Sequence, residues 1–171
     1  MIYIGNNNIA KEFSKGYIGI DGLAKNISKI YVGVNGIAQL AWEEVKGPFP
    51  WEVSSNGSYY FALTTTANKY QSTNYNKSST TATTTWTVTI PKEVSYTFQY
   101  QVSSETNYDK MSIILDGTTI VNNISGAGSL LSMTKTLSAG THTITAKYVK
   151  DGSVNKNNDR GYIILPPITY N

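Results

Sequence analysis

The sequence predicts an all-β protein: a small N-terminal unit of repeated β-hairpins, then an antiparallel β-sandwich. Three observations predict it. A 14-residue motif recurs three times in the first quarter of the 171-residue chain. From Trp51 onward, apolar and polar residues alternate with period two in one segment after another. No window places apolar residues at helical spacing between caps.

The repeat aligns in six columns. Tyr3, Tyr17 and Tyr31 correspond, as do Gly5, Gly19 and Gly33. Asn7, Asp21 and Asn35 follow, then Asn8, Gly22 and Gly36, then Ile9, Leu23 and Ile37, then Ala10, Ala24 and Ala38. Asp21-Gly22 and Asn35-Gly36 are the dipeptides a type I′ turn demands, since both central residues need positive φ. Asn7-Asn8 is the weaker version. Each copy therefore reads as a short hairpin with alternating flanks. The glycine inside each first strand removes a side chain and points to a bulge or a close backbone approach.

An isolated hairpin is marginal in water. Residues 1–46 are thus expected to bury apolar surface against the second domain, another protein or further copies; a self-sufficient small sheet is the alternative. The candidate attachment residues are Tyr3, Tyr17, Tyr31, Ile9, Leu23 and Ile37. Gly47, Pro48 and Pro50 then interrupt regular structure, so residues 47–50 read as a linker and 51–171 as the sandwich.

Strands are expected near Tyr59–Thr64, Ala82–Ile90, Val94–Ser103, Met111–Leu115, Thr119–Asn122, Ser129–Leu137, His142–Val149 and Tyr162–Leu165. Trp86, Val88 and Ile90 share one face, as do Tyr96, Phe98, Tyr100 and Val102, with Thr, Gln and Lys opposite. Asp116-Gly117 is a hairpin signal between two apolar runs. Eight or so strands without a long helix suit two packed sheets, most simply a jelly roll.

Composition narrows the function classes. Charged residues are only 15% of the chain and tyrosines number 13, which fits a β-rich folded protein rather than disorder. The net charge of +3 comes from scattered lysines and one arginine, Arg160. That is not the clustered basic footprint of a nucleic-acid binder. Without cysteine there is no disulfide or thiolate metal site. No apolar run approaches the ~20 residues of a membrane helix. The N-terminus lacks a basic segment followed by an apolar core, so no secretory signal is expected and synthesis in a host cytoplasm is.

Catalytic patterns are missing as well. His142, the one histidine, lies at a strand start with no serine or cysteine nucleophile motif beside it, and reads as structural. There is no P-loop, dinucleotide loop or HExxH. A non-enzymatic protein is expected, with no obligate cofactor. Ca²⁺ is the one cofactor that loop composition suggests, through Glu105, Asp109, Asp151 and Asp159. The competing reading makes Asp151-Gly152 and Asn157-Asn158-Asp159 plain turn formers. Tyr59, Tyr60, Tyr70 and Tyr75 lie in or near a long polar stretch and could form a glycan platform, or equally pin that loop to the sandwich.

Two resemblances add to this reading. "KGYIGIDGLAK" and "KIYVGVNGIAQLAW" resemble a short repeat of virion structural proteins in phages of Gram-positive bacteria. The match covers residues 1 to about 42, and the first copy departs from it at Asn8. "SSETNYDKMSIILDG" and "SAGTHTITAKYVKDGS" resemble segments of jelly-roll modules in surface and phage proteins, loosely called carbohydrate-binding-like. There the Tyr-Asp and Lys-Asp pairs, here Tyr108-Asp109 and Lys150-Asp151, shape the loops of the sandwich. Together the resemblances imply a virion accessory protein of capsid-decoration or head-fibre type. Its repeats would attach to a major capsid protein or tail component, with the jelly roll outward. A glycan-binding adhesin module of a phage tail or bacterial surface, recognising host polysaccharide, is the alternative. Homo-oligomerisation stays open.

Overall fold

A computed structural model describes residues 47–153 and 156–170 in full, and the backbone of residues 3–6, 9–12, 17–20, 23–26, 29–34 and 37–43. The chain divides into two compact units, Met1–Lys46 and Gly47–Asn171.

In the first unit each repeat copy is one two-stranded antiparallel sheet. β1 (Tyr3–Asn6) pairs β2 (Ile9–Glu12), β3 (Tyr17–Ile20) pairs β4 (Leu23–Asn26), and β5 (Lys29–Val34) pairs β6 (Ile37–Glu43). The register repeats with the sequence. Gly5 faces Ala10, Gly19 faces Ala24 and Gly33 faces Ala38. Each hairpin thus sets a glycine opposite an alanine in its register. The closing pairs Asn6–Ile9, Ile20–Leu23 and Val34–Ile37 leave two residues between the strands. Those turn pairs, Asn7-Asn8, Asp21-Gly22 and Asn35-Gly36, lie outside the described residues. The third hairpin is longer and carries a register shift between Ile30 and Tyr31.

Of the six candidate attachment residues, Tyr3, Tyr17 and Tyr31 lie in the first strands of the hairpins, and Ile9, Leu23 and Ile37 open the second strands.

The second unit contains β7 (Glu52–Ser54), β8 (Phe61–Leu63), β9 (Lys69–Ser72), β10 (Thr81–Ile90), β11 (Val94–Ser103), β12 (Lys110–Leu115), β13 (Thr118–Ile124), β14 (Leu131–Leu137), β15 (Gly140–Val149) and β16 (Arg160–Ile164). They form two five-stranded sheets, ordered β13-β12-β15-β10-β7 and β14-β11-β16-β9-β8. Every pairing is antiparallel. The protein is an all-β sandwich, and no helix occurs among the described residues.

Alternation dictates what lies between the sheets. Ala82, Trp86, Val88 and Ile90 of β10 meet Tyr96, Phe98, Tyr100 and Val102 of β11 in one apolar core, with Ile144, Ala146 and Tyr148 of β15. Trp86 is fully buried, with Phe61 at a 6.0 Å ring separation and Tyr70 at 5.0 Å, both edge-on. The outward threonines pair across the first sheet, Thr85 with Thr145 and Thr89 with Thr141, each 2.8 Å between hydroxyls. Asp116-Gly117 turns the β12–β13 hairpin with positive φ at both residues.

Two strands escape the sequence reading. β7 has no alternation because all three of its residues are exposed at the sheet edge. β9 lies in the polar stretch read as a loop; its single aromatic, Tyr70, faces the core opposite Ile163. The linker reading is also revised at Phe49, whose backbone exchanges hydrogen bonds of 2.7 and 2.9 Å with Ile168. Residues 47–50 therefore begin the sandwich rather than merely lead to it.

Candidate functional site

Two places in the sandwich gather polar side chains: the outward face of the second sheet and a buried cluster among the loops that follow β15.

The outward face follows from register. Gln101 pairs with Tyr162, which pairs with Gln71, and Gln99 pairs with Ile164, which pairs with Lys69. These residues occupy adjacent rows across β11, β16 and β9. Gln101 Nε2 donates to the Gly128 carbonyl at 2.9 Å and Gln99 Nε2 to Ser132 Oγ at 3.2 Å. Both amide oxygens are thereby oriented. The Lys69 ammonium lies 4.8 Å from the Tyr162 ring centre, and Arg160 stands 4.8 Å from that of Tyr75. Oriented amides and cations are groups with which proteins hold sugar hydroxyls, whereas the Tyr162 ring is buried, with Lys69 over it.

The four tyrosines singled out from sequence separate. Tyr70 is committed to the core against Trp86, and Tyr59 packs partly against that core. Tyr60 and Tyr75 are exposed, each 42% accessible. Tyr60 is bonded to Thr73, whose N–H donates to the Tyr60 carbonyl at 2.9 Å. Tyr162 and the three glutamines were missed as a site. Their parity in β11 and β16 carried the signal, but the pairing that aligns them with β9 did not show in the sequence.

The buried cluster is built on Lys150, one residue past the end of β15. Continued alternation from His142 through Ile144, Ala146 and Tyr148 turns Lys150 inward, and it is 3% exposed. Its Nζ lies 2.5 Å from Asp159 Oδ1 and 3.3 Å from Asp109 Oδ2. Tyr148 donates its hydroxyl proton to Asp159 Oδ1 at 3.1 Å, and Asn76 N–H donates to Asp159 Oδ2 at 3.1 Å. Asp151 N–H donates to Asp109 Oδ1 at 2.9 Å. Burial pushes the Asp109 carboxyl up, Asp159 alongside adds to this, and the Asp151 and Lys150 donors oppose it. The Tyr148 hydroxyl is likewise pushed far up, by burial first and then by the two carboxylates.

Of the four suggested calcium ligands, the fold brings Asp109 and Asp159 together, around an ammonium. Asp151 contributes its backbone N–H, and its side chain accepts from Ser153 N–H at 3.1 Å, an Asx-type turn. Glu105 Oε1 faces Lys156 Nζ at 3.7 Å. Among the described residues no three acidic or histidine side chains gather as a cation cage. Positive φ at Asn157 and Asp159 agrees with the turn-former reading of that loop.

His142 is held from both sides. Nδ1 lies 2.7 Å from Asp116 Oδ2 and Nε2 lies 2.9 Å from the Ser138 carbonyl. A ring facing two acceptors is best satisfied as imidazolium. Burial lowers its pKa, but the Asp116 and Ser138 acceptors outweigh that and the net shift is upward. Asp116 is shifted downward: burial opposes this and the His142 and Thr143 donors prevail. A raised histidine stabilises the fold fully below its ordinary value of 6.5 and loses that contribution as pH climbs through the folded value. A lowered carboxylate contributes above its ordinary 3.8 and loses it as pH falls through the folded value. The pair thus works best between those two pH values. The wild-type Tm should fall between pH 6 and pH 8 by more than that of Asp116→Asn; parallel Tm profiles would refute the pairing.

A scan against protein-family models finds no match to this chain, and a comparison with curated proteins finds none.

Proposed function

We propose that the chain is a non-enzymatic accessory protein of a phage particle, of the capsid-decoration or head-fibre type. The hairpin unit attaches it and the sandwich faces outward. The carrying observation is the repeated register: three hairpins, each with a glycine opposite an alanine, recurring every 14 residues along the sequence. Such a series suits repeated contacts with a repetitive lattice, where weak single contacts add through effective concentration. It accords with the resemblance of residues 1 to about 42 to virion repeats.

The strand orders support a jelly-roll reading of the sandwich. Counting from β9, the second sheet runs sixth, third, eighth, first strand, and the first sheet runs fifth, fourth, seventh, second. β8 and β7 extend the two edges. The engagement of His142 by Asp116 and Ser138, and of Asp109 and Asp159 by Lys150, favours binding over hydrolysis. Electron microscopy of particles made with and without the gene tests the assignment. Density lost at regular positions is expected; identical particles would overturn it.

The exposed rings of Tyr60 and Tyr75 favour a second reading, in which the sandwich binds host polysaccharide. Tyr75→Ala should weaken binding to cell-wall polysaccharide about fivefold, since a lost aromatic stack is worth about 1 kcal/mol and the Tyr75 side chain is exposed. Tyr70→Ala should instead lower stability. Wild-type protein that binds no wall polysaccharide would end this reading.

A further inference from the structure

The side chain of Lys150 is 1% exposed, and those of Asp109 and Asp159 are fully enclosed. One ammonium between two carboxylates would leave a net negative charge in a site shielded from water, an arrangement burial penalises heavily. A proton on one carboxyl relieves it, and Asp109 is the group whose surroundings favour that proton. The remaining pair, Lys150 and Asp159, is in direct contact at 2.5 Å. That contact is a hydrogen bond from Nζ to Oδ1, which gives a proton a direct path between the two groups. Asp159 is also prepared as an electrophile, because Tyr148 O–H and Asn76 N–H address its two oxygens and would stabilise charge developing there.

We propose that Lys150 and Asp159 condense, without any added reagent, into an intramolecular amide. The step balances within the three side chains. Lys150 ammonium passes a proton to the Asp159 carboxylate. The neutral Nζ attacks Asp159 Cγ and forms the C–N bond. Asp109 gives its proton to the departing oxygen and takes one from the nitrogen. The C–O bond breaks and one water leaves. The products are a secondary amide, water and Asp109 again in its acid form. Holding the amine in contact with the carboxyl supplies the proximity that makes an otherwise slow condensation feasible.

The bond would join the end of β15 in one sheet to the start of β16 in the other, closing the loop of residues 151–158. It would lock together the two sheets and remove the buried charges at once. A module on an exposed particle surface gains resistance to proteolysis and force from such a staple.

Intact-mass spectrometry of the folded full-length protein tests this. The expected mass is lower than the sequence mass by one water, with a branched peptide linking Lys150 to Asp159 after digestion. Asp-Gly pairs such as Asp116-Gly117 can also lose water by forming a succinimide, so the sample is treated with hydroxylamine. That reagent opens a succinimide and leaves the amide intact. Lys150→Arg, which keeps the charge but cannot condense, should show the full mass. Asp109→Asn, which keeps the shape but cannot carry the proton, should show it too. Full mass in the folded wild type after prolonged incubation, or a deficit that hydroxylamine removes, overturns the proposal. A deficit that survives in folded Asp109→Asn overturns the role given to Asp109.

Discussion

Lys150→Ala is expected to destabilise the sandwich by about 3–5 kcal/mol, the usual result of removing one partner from a buried ion cluster. The reason is what the substitution leaves behind. Asp109 and Asp159 would keep their burial but lose the Lys150 nitrogen that lies 3.3 and 2.5 Å from them, whether as ammonium or as amide. Tyr148, fully buried, would still donate to Asp159 and tie the defect to the core. Chemical denaturation should show the midpoint fall with an unchanged slope. Adding Asp159→Asn to Lys150→Ala should recover part of the loss, because it removes the carboxylate left without its partner. A double variant no better than the single one would mean that packing, not charge, dominates at this site.

Trp86→Ala is expected to be as severe, about 3–5 kcal/mol, because a large aromatic side chain is deleted from the centre of the core. Trp86 contacts Phe61 and Tyr70 edge-on and lies between Val53 and Ile144 in the sheet. Trp86→Phe should cost far less. The indole Nε1 has no hydrogen-bond partner among the described residues, so phenylalanine gives up ring volume but relieves a buried orphan donor. Thermal unfolding of the three proteins should rank wild type and Phe close together and Ala well below. A Phe variant as unstable as Ala would contradict the core role assigned to the ring edges.

What was legible in the sequence was whatever repeats or alternates. β11 matches its expected limits because Tyr96, Phe98, Tyr100 and Val102 declare its buried face without help from neighbours. The β12–β13 turn was equally plain, since Asp116-Gly117 can do little else between two apolar runs. β9 was hidden because its single inward ring, Tyr70, gains meaning only from Trp86 across the core. The calcium reading failed to foresee Lys150 between the carboxylates for a related reason. Asp109 meets Lys150 through pairing of β12 with β15, and Asp159 comes in just before β16 in the other sheet, neither of which local composition encodes. The parity of β15 did offer a clue, since a lysine two residues after Tyr148 must face inward if the strand continues. The attachment residues were chosen by repeat column, and the hairpin register follows those columns in all three copies.

The central claim is a division of labour: residues 1–46 attach, and the sandwich stands alone. It is tested most directly by producing residues 47–171, which keep the Phe49–Ile168 pairing, and measuring both thermal unfolding and co-sedimentation with particles lacking the native protein. The account predicts a cooperative transition at the full-length temperature together with loss of particle binding. A fragment that does not fold, or one that binds particles as well as the full chain, would contradict it.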